Sequence, residues 1–433
     1  MIVRKITPEE FKRTEEIFSI AFCYPYDCDK EPLELYKEKM ANPEAREVAK
    51  TFHKYVAFED DDKTMMCSMA VIHYPINFNQ KEVVMAGIGD VSSIPAYRRR
   101  GGIRACFTHM LADLYKTGVT FSYLYPFSTC FYNKFGYGMG VKANVYELDL
   151  SRIPRYATTG RCILAEPHNA HALLKDVSSV YEVWQQKYNG MVINGPLEYQ
   201  FVTKANPCKT QEFLYLYRSA DGSPKGYISF HKEQQDGDQI LVCTQIVFTD
   251  AEGLTGLLEL AASYTANYRS IRFTIPEDIE IEMALGELAF GACKLEHSYT
   301  GMVRVINVEE ALWLSSYCGD GNIALRITDP YIEANNGIFS VSYQDGKAVE
   351  IVHTPLESIE KTNATNITEL TDNTNETITH TINMYIDRFS EFIFQNRSAA
   401  HFLYCQEKSL TEEDITILEK SFVRKPAFLM EHF

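Results

Sequence analysis

Four arginines, Arg98, Arg99, Arg100 and Arg104, crowd the glycine pair Gly101-Gly102 in a 433-residue chain whose formal net charge is −16. A planar guanidinium matches phosphate oxygens in both charge and geometry, so such a cluster in an acidic protein points to a bound anion. The flanking residues say where it would sit. Glu82–Ser92 reads as a strand, Pro95 ends its ladder, and from Gly102 to Lys116 the residues Phe107, Met110, Leu111, Leu114 and Tyr115 recur at helical spacing, with Gly118 where a C-terminal cap belongs. A helix start leaves backbone N–H groups unpaired and carries the positive end of the helix dipole. Arg98, Arg99, Arg100, Gly101, Gly102, Ile103 and Arg104 therefore suit a pyrophosphate, the alternative being a basic turn that is merely solvated.

Other chemistries find less support. Gly87 and Gly89 begin a dinucleotide fingerprint whose third glycine falls on Ser92, and no P-loop pattern occurs. The eleven cysteines are scattered, with no C-x-x-C, which predicts reduced thiols, no disulfide framework and no metal. Cys106, Cys130 and His109 allow a scheme in which a thiol first accepts an acyl group. Cys106 and His109, however, stand three apart on a helix expected to turn its apolar side inward, a structural rather than catalytic placement.

A hydrophobic fraction of 45% and a charged fraction of 23% describe a globular protein with real cores, and the length suits three domains. The negative balance excludes a nucleic-acid backbone binder and leaves room for amine-bearing partners. No window approaches the ~20 apolar residues of a membrane helix. The first residues, broken by charges, make no signal peptide, so no membrane role and a cytoplasmic location are expected. The triplets beginning at Asn363, Asn366, Asn375 and Asn396 are then coincidental.

Ahead of the arginines the pattern predicts a strand over Ile2–Ile6, a helix over Pro8–Phe22, and strands over Lys54–Phe58 and Thr64–Tyr74; after the helix, Val119–Tyr125 reads as a strand. A linker is expected over Ser151–Arg161. A second α/β unit follows, with a helix at Ala170–Tyr188, strands at Glu212–Tyr217, Pro224–His231 and Gln239–Phe248, a helix at Gly253–Tyr268 and a strand at Ser270–Ile275. Its order echoes the first unit, as in a diverged duplication. Beyond Met302 the strands Ile323–Thr328, Gly337–Tyr343 and Lys347–His353 are expected to be joined in part by Asn336-Gly337 and Asp345-Gly346 turns. A helix is expected over Ile382–Asn396, and Lys361–Thr379, dense in Thr and Asn, reads as a loop.

The run Arg98–Ile103 is similar to the [QR]-x-x-G-x-[GA] pyrophosphate loop of the GNAT acetyltransferases, with Ile103 at the last, normally small, position. Together with Phe131-Tyr132-Asn133-Lys134-Phe135-Gly136-Tyr137-Gly138 it resembles the Eis (enhanced intracellular survival) branch of that family. The resemblance implies a mixed α/β (α+β) protein. Residues 1–150 would form a catalytic acetyltransferase domain and 151–299 a second such domain without the cofactor loop. Residues 300–433 would form a sterol-carrier-like α+β domain. The second unit agrees, since Phe248–Gly253 holds Asp250 and Glu252 where the arginines would stand.

For the site, the resemblance implies acetyl-CoA as co-substrate with no metal. Backbone N–H groups at Val91, Ser92 and Ser93 would take the thioester carbonyl, with Phe127 and Ser128 also on the cofactor side. Tyr132 would be the general acid. A phenol near ~10 can protonate a thiolate near ~8.5 only if its surroundings lower it or the step is concerted. The terminal carboxylate of Phe433 would be the base, reached by the apolar tail Pro426–Phe433. The implied acceptor is an amine of a cationic small molecule such as an aminoglycoside, attacked directly in a ternary complex; a protein lysine or N-terminus is the alternative. Asp27, Asp29, Glu31 and Glu431 are candidates for an acidic acceptor pocket, with His432 where the family can carry a carboxylate. The family also implies a homo-oligomer, possibly a hexamer. A third reading has vestigial acetyltransferase domains and an apolar ligand on the C-terminal domain.

Overall fold

The computed structural model describes residues 1–26, 31, 33–34, 37, 52–195, 198–235, 237–285, 293–356, 380–395, 398–404 and 410–431. Their contacts divide into two compact units, Met1–Gly140 with Gly301–Lys425, and Val141–Thr300 with Pro426–Glu431.

The main sheet of the first unit holds β1 (Ile2–Lys5), β2 (Phe52–Phe58), β3 (Met65–Phe78), β4 (Lys81–Ser93) and β5 (Phe121–Leu124), paired in that order. β4 and β5 are parallel and the others antiparallel. A parallel pair needs a crossover, here helix α2 (Gly102–Lys116), which follows α1 (Phe11–Phe22) in the chain. α2 has the limits its periodicity predicts, and it buries Cys106, Phe107, Met110, Leu111 and Leu114. These join Tyr55, Met69, Val71 and Ile88 from the sheet in one core.

A four-stranded sheet completes this unit: β13 (Gly321–Thr328), β14 (Gly337–Gln344), β15 (Lys347–Pro355) and β16 (Thr381–Tyr385), in the order β15-β14-β13-β16. Asp345 and Gly346 both have positive φ, 51° and 75°, as the expected two-residue hairpin demands. Asn336 instead lies at φ −85°, after a single turn Glu333–Asn335, so Asn336-Gly337 opens a strand and is not a hairpin. The helix expected from Ile382 starts four residues late. Ile382 and Met384 are buried and Asn383 and Tyr385 exposed, a period of two that places this stretch as a strand parallel to β13. Helix α6 (Ile386–Gln395) follows, and Phe394 packs on Phe78, Phe121 and Tyr123 of the main sheet. Lys361–Thr379 lies outside the described residues.

The second unit repeats the first. Its strands β6 (Gly138–Asp149), β7 (Arg161–Leu164), β8 (Glu212–Arg218), β9 (Pro224–Gln235), β10 (Asp238–Phe248) and β11 (Ser270–Pro276) pair in the order β7-β8-β9-β10-β11-β6. β10 and β11 are parallel, joined through helix α5 (Ala251–Ala262), and α4 (Ala170–Lys187) belongs to the same unit. In each unit the parallel pair is closed by an antiparallel sixth strand: β6 beside β11 here, and the end of β12 (Cys293–Val305), through Met302–Val305, beside β5 in the first. The sequence reading assigned neither β6 nor β12, and it took part of β7 for linker.

The tail is held within the second unit. Asn189 N–H donates to the Pro426 carbonyl at 2.9 Å, Phe428 N–H donates to the Asn189 carbonyl at 2.9 Å, and the Phe428 ring lies edge-on to Tyr188. Phe433 and His432 lie outside the described residues. Among the described residues no helix is long and apolar enough to cross a membrane.

Candidate active site

One irregularity in a strand opens the site. The β3–β4 register runs Ser68↔Ser92 and then Ala70↔Gly89, so β4 carries one extra residue, and Asp90 sits there at φ 52°. The bulge is anchored from below by the buried Lys54, whose Nζ lies 3.4 Å from Asp90 Oδ2 and 2.5 Å from Glu15 Oε1. Beyond it β4 parts from β5, because their pairing stops at Ile88↔Leu124. Val91, Ser92 and Ser93 thus extend past the parallel ladder onto the wall of a cavity of about 710 Å³. Ser92 is fixed from behind by a 3.1 Å hydrogen bond between its hydroxyl and that of Ser68.

The turn after β4 lines the same cavity. Arg99 (φ 64°) and Gly101 (φ 89°) both lie in the left-handed region, which lets the chain reverse tightly into α2. A Cβ on Gly102 would stand 2.9 Å from Cys67 Sγ, so the helix start lies close on the sheet. Gly101, the N-cap, has no side chain to satisfy the first-turn N–H groups, which remain available to an anion. Arg98, Arg99 and Arg104 line this cavity, are exposed, and have no carboxylate partner among the described residues.

Of the residues expected at the cofactor, Val91, Ser92, Ser93, Arg99, Gly101, Gly102, Ile103, Arg104 and Phe127 share that wall. Two are placed elsewhere. Arg100 turns to Glu59, 2.6 Å from Nη1 to Oε1, and lies over the Tyr97 ring, so its charge is already engaged. Ser128 serves as the N-cap of α3 (Thr129–Asn133). Sequence reasoning missed Phe22, Phe131 and Phe135, apolar cavity-lining residues that composition cannot tell from core.

Tyr132, on α3, is buried and packs edge-to-face on Phe107, Phe127 and Phe131, at centroid distances of 5.9, 5.5 and 5.1 Å. Phe127 and Phe131 line the cavity; Tyr132, expected as the general acid, does not itself line it and packs behind these two rings. Its hydroxyl makes no hydrogen bond among the described residues. Desolvation, with a smaller contribution from Tyr137, pushes its pKa well above the ordinary phenol value. The surroundings raise the phenol instead of lowering it, which leaves concerted proton transfer as its route to a departing thiolate.

The thiol scheme gains nothing. Cys106 is fully buried, 3.9 Å from Cys67 Sγ, and that contact and burial push its thiol far up. Cys130 and His109 are exposed on different helices. Of the acidic candidates, Glu31 is exposed, and Asp27 and Asp29 lie outside the described residues. Glu431 belongs to the second unit, where desolvation pushes its carboxyl up to about 7. At neutral pH it is only partly ionised and so attracts a cation weakly.

The second unit shows what the first leaves open. At the start of α5 the Asp250 carboxylate accepts the Gly253 N–H at 2.9 Å and pairs with Lys225 Nζ at 2.7 Å. A Cβ on Gly253 would stand 2.2 Å from the Lys225 carbonyl oxygen. The repulsion expected from Asp250 and Glu252 is thus accompanied by occupation, since this helix start already holds a carboxylate of its own.

Residues 2–140 match the acetyltransferase (GNAT) domain family. No curated protein sequence matches the chain. Solved structures do match over its full length. A GCN5-related N-acetyltransferase from Anabaena variabilis ATCC 29413 superposes with a TM-score of 0.77 at 18% identity, covering 100% of both chains. Eis1 from Mycobacterium abscessus superposes with a TM-score of 0.71 at 15% identity, again covering 100% of both. A conserved protein from Enterococcus faecalis V583 gives 0.78 at 20% identity, covering 100% of this chain and 99% of the other. At these identities the likeness is one of fold, whereas the domain match is one of sequence. Residues 2–140 thus carry the sequence signature of an acetyltransferase (GNAT) domain, in a chain that shares its fold over its whole length with Eis1 from Mycobacterium abscessus.

Proposed function

We propose that this protein transfers the acetyl group of acetyl-CoA to a primary amine of a cationic small molecule, with aminoglycosides as the class to test, by direct attack in a ternary complex in the cytoplasm. The observation that carries this reading is the lining of one cavity: an uncapped helix start with three arginines that have no carboxylate partner among the described residues, the bulged strand end Val91–Ser93, and the rings of Phe127 and Phe131 on which Tyr132 packs. The orphan N–H groups and Arg98, Arg99 and Arg104 fit a pyrophosphate, and acetyl-CoA when bound supplies the activated acyl group. Backbone N–H groups at Val91–Ser93 stabilise charge that builds on the carbonyl oxygen. Tyr132 delivers a proton to the leaving sulfur in concert with bond cleavage. The base is the carboxylate of Phe433; the pairing of Pro426 and Phe428 with Asn189 supports a seated tail, not a loose one.

Thiol release from acetyl-CoA, measured with an aminoglycoside panel and with lysine peptides, tests the acceptor. Turnover with the aminoglycosides supports the reading; turnover with peptides alone moves the acceptor class to proteins. A chain lengthened by two residues past Phe433 is expected to lose about 10²-fold or more in kcat while still binding acetyl-CoA, in the range of general-base loss. Full activity in that chain removes Phe433 from the mechanism.

The Tyr132 pKa also predicts a pH profile. A group that must be protonated to act fails only above its pKa, and burial moves that pKa upward. The kcat profile is therefore expected to show no falling limb from tyrosine between about pH 8 and 9.5. A limb in that window that disappears in Tyr132→Phe contradicts the placement.

A further inference from the structure

The block that carries Tyr132 does more than face the cavity. α3 is five residues long, too short to hold itself as an isolated helix, so its position must be imposed from outside. Within the first unit, residues far along the chain do this. Asn133 Nδ2 donates to Asp387 Oδ2 at 2.9 Å, and Met139 N–H donates to Glu391 Oε1 at 2.6 Å. The Phe135 carbonyl accepts from Arg304 Nε at 2.8 Å. Arg304 is fully buried, and its Nη2 lies 2.6 Å from the equally buried Asp329 Oδ1. Its Nη1 donates to the Val305 carbonyl at 3.0 Å, and a buried cation pinned in this way has little freedom, so its Nε is aimed at one point.

The glycines of the block agree. A Cβ on Gly136, at φ +82°, would lie 2.7 Å from Ile386 Cγ2 and 3.0 Å from Arg304 Nε, and one on Gly138 would lie 2.4 Å from the Asp387 carbonyl oxygen. Asn133, Gly136 and Gly138 are absent from the cavity wall. The F-Y-x-x-F-G-Y-G pattern thus serves two purposes, with Phe131 and Phe135 lining the cavity and Tyr132 packed against Phe131, and with Asn133, Gly136 and Gly138 turned to the docking of β12 and α6.

We propose that Asp387 and Arg304 are positioning residues for Tyr132, holding the Asn133–Tyr137 turn so that the phenol stays packed on Phe127 and Phe131, whose rings line the cavity. This rests on the reading of Tyr132 as the proton donor. It makes the C-terminal part of the first unit a component of catalysis without contributing a reacting atom there.

The test uses the full chain, with Asn133→Ala, Asp387→Ala and Asp387→Asn each made alone and combined with Tyr132→Phe, and with single-turnover rates for slow variants. Asn133→Ala and Asp387→Ala are expected to lower kcat about tenfold with KM for acetyl-CoA within about twofold, since misplacement of a reacting group by a fraction of an ångström costs rate more than binding. Asp387→Asn keeps an oxygen for Asn133 to donate to and is expected to stay within about twofold of the native rate. Combined with Tyr132→Phe, the alanine variants are expected to lower the rate no further. Equal losses in both backgrounds, or no loss in the native one, overturn the proposal. Native activity in Tyr132→Phe alone overturns the acid reading and, with it, this role; that outcome is visible before any Asn133 or Asp387 variant is considered. Asn133 is exposed, so its variant keeps the test decisive if Asp387→Ala does not fold.

Discussion

Tyr132→Phe is expected to lower kcat by about 10²-fold or more and to leave KM for acetyl-CoA within about twofold. The ring keeps its contacts with Phe107, Phe127 and Phe131, so only the hydroxyl is lost. That hydroxyl has no hydrogen-bond partner among the described residues, so its removal breaks no hydrogen bond within the protein. The thermal midpoint should therefore hold while activity falls. This combination separates a chemical role from a packing role. Unchanged kcat places the proton donor elsewhere, and a fall in both activity and stability assigns Tyr132 to the core.

Gly101→Asp is expected to raise KM for acetyl-CoA by about 10²-fold. The reasoning comes from the protein's own second copy of the fold, where Asp250 caps the equivalent helix and accepts the Gly253 N–H. A carboxylate at position 101 would take first-turn N–H groups needed by a pyrophosphate and set a negative charge against it. No atom lies within 4 Å of a Cβ built there, so the direct steric cost is small, but φ of +89° adds about 1 kcal/mol for any side chain. Gly101→Ala carries that backbone cost without the charge and should raise KM only a few-fold. Titration of acetyl-CoA by calorimetry against the three proteins reads the difference; equal affinities for the aspartate and alanine variants would show that the helix start does not hold the phosphates.

The two substitutions probe the parts of the site that were most and least open to reading from sequence. The arginine turn was legible because its meaning is local: strand, Pro95, Gly101-Gly102 and an amphipathic helix follow one another in the chain, and α2 begins and ends where its apolar spacing says. The fate of Arg100 was not legible, since Glu59, its partner, lies on another segment. The same holds for the bulge at Asp90, which depends on the register of β3 against β4 and leaves no mark in either strand alone. β16 was read as helix because Ile382 and Met384 fit a helical face as well as a strand face over so short a run, and the parallel partner that decides the matter is β13. β6 and β12 escaped for a related reason: their partners, β11 and β5, lie far from them in the chain. The direction of the Tyr132 shift also needed the structure, because only packing shows how far a phenol is removed from water.

Those sixth strands carry a consequence for how the protein comes into being on the ribosome. Residues 1–140 emerge first and include β1 to β5, yet the strand that closes the far side of β5 is Met302–Val305, made only after Val141–Thr300 of the second unit has been synthesised. At about 5–20 residues per second that interval is on the order of ten to thirty seconds, during which the β5 edge of the nascent first sheet is uncovered and open to the wrong strand. The second unit has the opposite history, since β6 is ready before β11 arrives to meet it. The unit that holds the arginine turn therefore waits for residues 302–305 before its main sheet is closed, and release of a truncated product before residue 302 would leave the arginine loop in place on a sheet lacking its final strand.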